Sequence, residues 1–532
     1  MLTRRDAVAL IGGSASVLAS LPAFAQQTPP PGGQPQSAPG PGGRALFDHG
    51  TVIERARQLA ARPYARPGPA LPPELDKLSF DAYRAIRFKR DKAFLGKSKS
   101  GFRLELFHRG FLFKTPVVVN LIRDGVSSPA PYDPTLFDFG DTKIGARLPV
   151  DFGFAGLRVL FPINKPTVMD ELAVFVGASY FRVLGRGQQY GISARGIAIG
   201  TGDEKPEEFP DFREFWVEEP EANASQLVVH ALLDGPSLTG AYRFVITPGD
   251  ETTVDVGSTL FPRVDIPKLG VAPLTSMFFY GENDRAQYRG FRPEVHDSDG
   301  LLIRTSDDDW TWRPLTNPAQ LRKSPYPETD VRGFGLLQRD RKFEHYQDLE
   351  VRYDLRPSYW IEPQGDWGPG RIELVEIPTA TETFDNIAAY WVPEAATKAG
   401  ETLRRNYTIR SISLAEKLTP LARALHTFVA EPRASGGADR GPENVRRFIV
   451  DFAGGELGYW LDEPKRVVTE TSADRGKINA AYVTPNRETG GFRLFLDHEL
   501  ENPGDEAVLR GVLKVGDKTL TENWTFTWTR PA

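Results

Sequence analysis

The sequence predicts an all-β protein: a large antiparallel β-sandwich followed by a small immunoglobulin-like β-sandwich. Three observations lead there. The 532 residues include 50 glycines and 44 prolines, a turn-rich composition that disfavours long helices. From Phe102 onward apolar and charged residues alternate, as in Phe102-Arg103-Leu104-Glu105-Leu106, with the period of two of a half-buried strand. The apolar runs are short and end in turn signals such as Gly200-Thr-Gly-Asp203, Pro248-Gly-Asp250, Gly281-Glu-Asn-Asp284 and Asp299-Gly300, without βαβ spacing. The length calls for two or three domains.

Residues 1–25 read as an export signal. Arg4-Arg5 precedes an apolar run from Ala7 to Leu21 and an Ala23-Phe24-Ala25 cleavage site. Ala7-Val8-Ala9 follows Asp6 where a twin-arginine signal usually has Phe-Leu-Lys, so the twin-arginine and Sec routes both stay open; either leads to the periplasm. Residues 26–43 are rich in Gln, Pro and Gly and read as a disordered tether. The large domain is expected over 44–415. It opens with short helices at Phe47–Ala61 and Leu78–Phe88, then strands at Thr115–Ile122, Leu157–Phe161, Gln226–Leu233, Tyr242–Thr247 and Thr252–Leu260. Residues 416–442 read as a linker, because Leu418–Val429 lacks strand alternation and Glu431–Pro442 is loop-like. The small domain, 443–532, carries strands at Arg447–Ala453, Lys477–Val483, Phe492–Asp497, Ala507–Val515 and Asn523–Thr529. No segment after the signal is long and apolar enough to span a bilayer.

Net charge −5 and a pI of 6.0 leave no basic face for nucleic acid. The absence of cysteine excludes disulfides, thiolate chemistry and zinc–cysteine sites. The seven histidines are scattered, without metal-ligand spacing, so no metal and no cofactor is expected. No Gly-x-Ser-x-Gly elbow or dinucleotide fingerprint is present. What remains is carboxylates beside aromatics, densest over 280–391. Asp385 stands at the mouth of the apolar run Phe384–Trp391, which suits a buried strand, and Asp297 lies in Pro293-Glu-Val-His-Asp-Ser-Asp299. Such residues are commonly turn aspartates and core rings. Taken alone they support an exported, β-rich protein with a leaning toward glycan binding.

Longer stretches carry more. Gly177-Ala-Ser-Tyr-Phe-Arg182, Tyr190-Gly-Ile-Ser-Ala-Arg-Gly-Ile-Ala198, Leu269-Gly-Val-Ala-Pro-Leu-Thr-Ser-Met277, His296-Asp-Ser-Asp299, Gly333-Phe-Gly-Leu-Leu-Gln338 and Thr383-Phe-Asp-Asn-Ile387 run in order across the large domain. The chain resembles the periplasmic glucan biosynthesis proteins of types G and D, and its twin-arginine start resembles the D type. The resemblance implies a large sandwich like those of mutarotase-like and glycoside-hydrolase proteins, joined to an immunoglobulin-like domain. It implies an anomer-inverting, endo-acting β-1,2-glucanase working on linear β-1,2-glucan, with Asp385 as acid and Asp297 as base. Phe384, Ile387 and Trp391 would desolvate Asp385; polar partners such as Ser298 would keep Asp297 ionised. Asp299 reads as a turn residue before Gly300.

Tyr359, Trp360, Trp367 and Trp391 are expected to include sugar-stacking rings along a groove open at both ends; burial of all of them would count against endo action. Ser306-Asp-Asp-Asp309 departs from the Gly-Asn-Gly-Glu of relatives, which leaves product length open. Two rivals use the same residues: a non-catalytic glucan-binding protein serving a membrane glucan synthase, and a β-1,2-glucan transglycosylase.

Overall fold

The computed structural model describes residues 46–531 except 69, 142–147, 150–151, 285–289 and 433–440. The expected signal and tether lie outside the described residues, as does most of the loop at 431–442. Among the described residues the chain is mostly strand, arranged chiefly in a 10-stranded sheet, a 15-stranded sheet and a 4-stranded sheet. Between the described strands pairing is antiparallel with two exceptions: Asp211–Glu218 runs parallel to Val118–Arg123, and Trp310–Pro314 runs parallel to Asn523–Thr529.

The 10-stranded and 15-stranded sheets close on one apolar core. Phe175 and Phe181 from the first pack on Phe244 from the second at ring distances of 5.1 and 5.2 Å. Alternation along each strand supplies this core. On Arg103–Phe107 it receives Leu104 and Leu106; on Gly156–Phe161, Leu157 and Val159; on Ser193–Arg195, Ala194. The other face of the 10-stranded sheet carries the candidate site.

The expected first helix forms at His49–Ala60, where the Asp48 side chain caps it by accepting from Thr51 N at 2.9 Å. Val52 and Ala56, four residues apart, bury one helical face against Trp216, Leu232, Ala241 and Phe261 on the outside of the 15-stranded sheet.

The linker expected at 416–442 is corrected in part. Arg423–Ala430 is a strand and pairs with Val445–Ala453 in the 4-stranded sheet. A bulge between Ala424 and His426 breaks its alternation, which is why the period of two does not show in sequence. That sheet packs on Val468–Ala473, Glu506–Val515 and Asn523–Thr529, which extend the 15-stranded sheet. The core between them also takes Leu302, Trp310, Trp312 and Trp360 from the larger part. A buried Arg339–Glu522 ion pair at 2.7 Å crosses the same seam. The two parts are welded through one sheet and one core.

Candidate active site

Asp385 ends the loop leading into the buried strand Ile387–Pro393. The loop is ordered by its own polar side chains. Thr379 Oγ1 donates to Thr381 O at 2.8 Å, and the Thr381 and Thr383 hydroxyls meet at 3.0 Å. Asn386 anchors it further: Oδ1 accepts from Phe278 N at 2.9 Å, and Nδ2 donates to Phe278 O and Ile377 O, each at 3.0 Å. The carboxyl this loop presents is buried, and its Oδ2 has no hydrogen-bond partner among the described residues. Burial pushes Asp385 up to about 7; the Arg182 and Arg356 guanidinium groups pull it down and the Asp297 charge adds to the rise. Phe384 does not supply this dry setting as expected. It is 41 % exposed, whereas Ile387 and Trp391 are fully buried.

Asp297 follows the short strand Val295–His296 and is buried. Its N–H donates to Met277 O at 2.8 Å. His296 beside it is held between Glu294 and Gln338, each at 2.9 Å; burial opposes its charge, but Glu294 lifts it to about 9. The expected Ser298 partner is spent elsewhere, on Ser276 Oγ at 2.8 Å. Arg356 takes that place. Its Nε stands 3.1 Å from Asp297 Oδ1, close but not aligned as a hydrogen bond, so the contact is Coulombic. Arg356 also donates to Tyr190 O. A Cβ at Gly191 would lie 2.5 Å from Arg356 Cδ, so the glycine makes room for the arginine. The carboxyls of Asp297 and Asp385 are thus brought into electrostatic range of each other, with Arg356 acting on both.

A cleft of about 800 Å³ opens beside Arg356, lined by Tyr190, Glu105, Phe107, Arg158 and Glu171 among others. The four rings expected to line a groove do not. Tyr359 is fully buried and ties the two sheets together, its hydroxyl donating to Val183 O and accepting from Val183 N, both at 2.7 Å. Trp360 is buried in the seam core and stacks on Trp310 at 5.6 Å. Trp367 is buried with Nε1 donating to Asn406 O at 3.2 Å, and Trp391 packs beside it at 6.3 Å. Tyr359 and Trp360 point to opposite faces of one strand, and both faces are covered, one by the large core and one by the seam core; Trp367 lies on the loop after that strand and packs into the large core with Trp391. A ring in a core cannot stack on a sugar.

Asp299 is more than a turn residue. Its Oδ2 accepts from Arg339 N at 2.7 Å and from Asp340 N at 2.9 Å, and burial raises its carboxyl above the usual range. Glu294, Asp340 and His345 bring ligand atoms within 4.8 Å of one another, a grouping invisible in sequence spacing. Within it Glu294 already pairs with His296 and Asp340 with His345. Sequence reasoning quoted the stretches holding Arg182 and Tyr190 without giving either a role, and it missed Arg356.

The model of the family described as "Periplasmic glucan biosynthesis protein, MdoG" matches residues 47–528. Glucans biosynthesis protein G of Ralstonia nicotianae is 44 % identical over 90 % of this chain and 95 % of its own. Glucans biosynthesis protein D 1 of the same organism is 44 % identical over 91 % of this chain and 92 % of its own. Probable glucans biosynthesis protein D of Shewanella oneidensis is 43 % identical over 91 % and 89 %. The chain belongs to the periplasmic glucan biosynthesis protein family. Relatives named G and D match it equally well, so identity does not favour the D type. No helix among the described residues is long and apolar enough to cross a membrane.

Proposed function

We propose that this chain is an anomer-inverting β-1,2-glucanase, exported to the periplasm, that cleaves the linear backbone of periplasmic glucans. One observation carries the proposal: the buried Asp385 carboxyl, unpartnered at Oδ2, beside an Asp297 carboxylate ion-paired with Arg356. Inversion needs a carboxylic acid to protonate the leaving oxygen and a carboxylate on the other ring face to activate water. Asp385, with its proton held to about pH 7, suits the first role. Asp297, beside a guanidinium, suits the second. Endo action rests on the family resemblance and the cleft beside Arg356, and burial of the four expected rings counts against it.

The test is incubation of purified mature protein with linear β-1,2-glucan, with products sized and reducing ends counted. New reducing ends and shorter chains are expected. Binding without either result would establish the glucan-binding reading instead. Altered chain lengths without new reducing ends would establish the transglycosylase.

A further inference from the structure

The face of the 10-stranded sheet turned away from its core carries a row of mostly polar residues, broken by Val174 and ending at Ala388. Register places Glu105 opposite Arg158, and Arg158 opposite Val174. Val174 then stands opposite Arg182, and Ser193 opposite Thr275. One step beyond the Phe181–Ala194 pair, Arg182 and Ser193 are neighbours across adjacent strands. Thr275 next faces Ala388, three residues after Asp385. The row therefore runs from the cleft, at Glu105 and Arg158, to the strand that follows Asp385.

These side chains point away from the apolar core yet are largely buried. Ser193 and Thr275 are 0 % and 5 % exposed. Neither hydroxyl has a hydrogen-bond partner, and among the described residues they are the only buried serine or threonine hydroxyls in that state. Buried hydroxyls elsewhere are satisfied: Thr239 donates to Ala56 O at 2.8 Å, Thr252 to Leu184 O at 2.7 Å and Ser258 to Arg405 O at 2.7 Å. The Tyr190 hydroxyl, Glu105 Oε1 and Asp385 Oδ2 are also left unpartnered, and all three belong to this row, its cover or the acid above it. A lone orphan has many explanations. Two orphaned hydroxyls paired across one ladder step, with Thr275 on the strand next to the one that follows the acid, mark an enclosed site built for a polar guest.

We propose that this row is the floor of the glucan groove, and that the Ser193 and Thr275 hydroxyls bind hydroxyls of the sugar residue cut at Asp385. This rests on the function proposed above. The Glu105–Arg158–Glu171 cluster would hold sugar hydroxyls further along the chain, with Arg158 Nε on Glu105 Oε2 at 2.8 Å fixing the donor geometry.

Ser193→Ala and Thr275→Val remove one hydroxyl each and nearly preserve volume. Since neither hydroxyl serves a protein partner, the melting temperature should hold or rise. Each variant should lose about 3- to 10-fold in kcat/KM on linear β-1,2-glucan, the effect of one lost neutral hydrogen bond. Calorimetric titration of the same glucan, with each change placed in Asp385→Asn, separates binding from chemistry and should show a similar loss of affinity. Wild-type kinetics and affinity in both variants would overturn the inference and leave a floor wetted by water only. A lower melting temperature with unchanged kinetics would overturn it in favour of a structural role. If the parent binds and does not cleave, the function fails and the affinities alone decide the floor. If the parent does not bind glucan, both fall.

Discussion

Asp385 and Asp297 are buried to a similar degree, 9 % and 3 % exposed, yet their surroundings oppose each other. One ends a loop braced by threonines and Asn386 and keeps an unpartnered oxygen in a dry setting. The other sits on a strand end with an arginine against it. Burial alone does not assign a carboxylate its role. At Asp297 the nearest cation is Arg356, nearly sixty residues downstream; at Asp385 Arg182 and Arg356 both act, against burial and the Asp297 charge.

Removing either carboxylate should have the largest effect. Asp385→Asn cannot donate a proton and Asp297→Asn cannot accept one. Each should lower turnover of linear β-1,2-glucan by about 10²–10⁴-fold while glucan binding holds, as steady-state rates and titration calorimetry would show. Turnover within a few-fold of wild type in Asp385→Asn would contradict the acid role.

The pH profile follows. An acid held at about 7 predicts a falling alkaline limb near that value, as Asp385 loses its proton. Arg182 holds the Asp385 value down, so Arg182→Met should move that limb to higher pH.

Stability is a smaller effect. The folded state holds the Asp385 proton more tightly than the unfolded chain, whose value is near 3.8. Wild type therefore loses stability as pH rises from about 4 to about 7, and the penalty is complete above that. It is of the order of a few kcal/mol. Asp385→Asn should melt a few degrees above wild type at pH 8 and close to it at pH 4, by thermal scans.

Asp299→Asn should change least. It keeps an oxygen for the Arg339 and Asp340 N–H groups and has no proposed role in proton transfer, so turnover should stay within a few-fold.

The all-β class and most strands are legible in sequence, because alternation is a local signal. Asn523–Thr529 forms where the pattern puts it, and Thr252–Leu260 lies within the observed Thr252–Pro262. Where local geometry breaks the pattern, the signal goes: the bulge at Ala424–His426 hides a strand. The two candidate aspartates stand out in sequence only through their motifs. Their partners do not stand out, since nothing in the neighbourhood of Arg356 marks it as the cation facing Asp297. The aromatics mislead for a related reason. Tyr359, Trp360, Trp367 and Trp391 have the composition of a sugar platform, but both faces of the strand carrying Tyr359 and Trp360 are covered, and Trp367 and Trp391 pack into the large core. Ser193 and Thr275 become informative only when the fold shows that they face each other and lack partners.

On the proposed roles Asp385 and Asp297 act from opposite faces of the sugar ring, so cleavage inverts the anomeric carbon. Proton NMR of the first product released from linear β-1,2-glucan, recorded before mutarotation, reads that stereochemistry. The new reducing end should appear first as the α-anomer. A β-anomer appearing first would mean retention, and would contradict the assignment of Asp297 as a base acting through water.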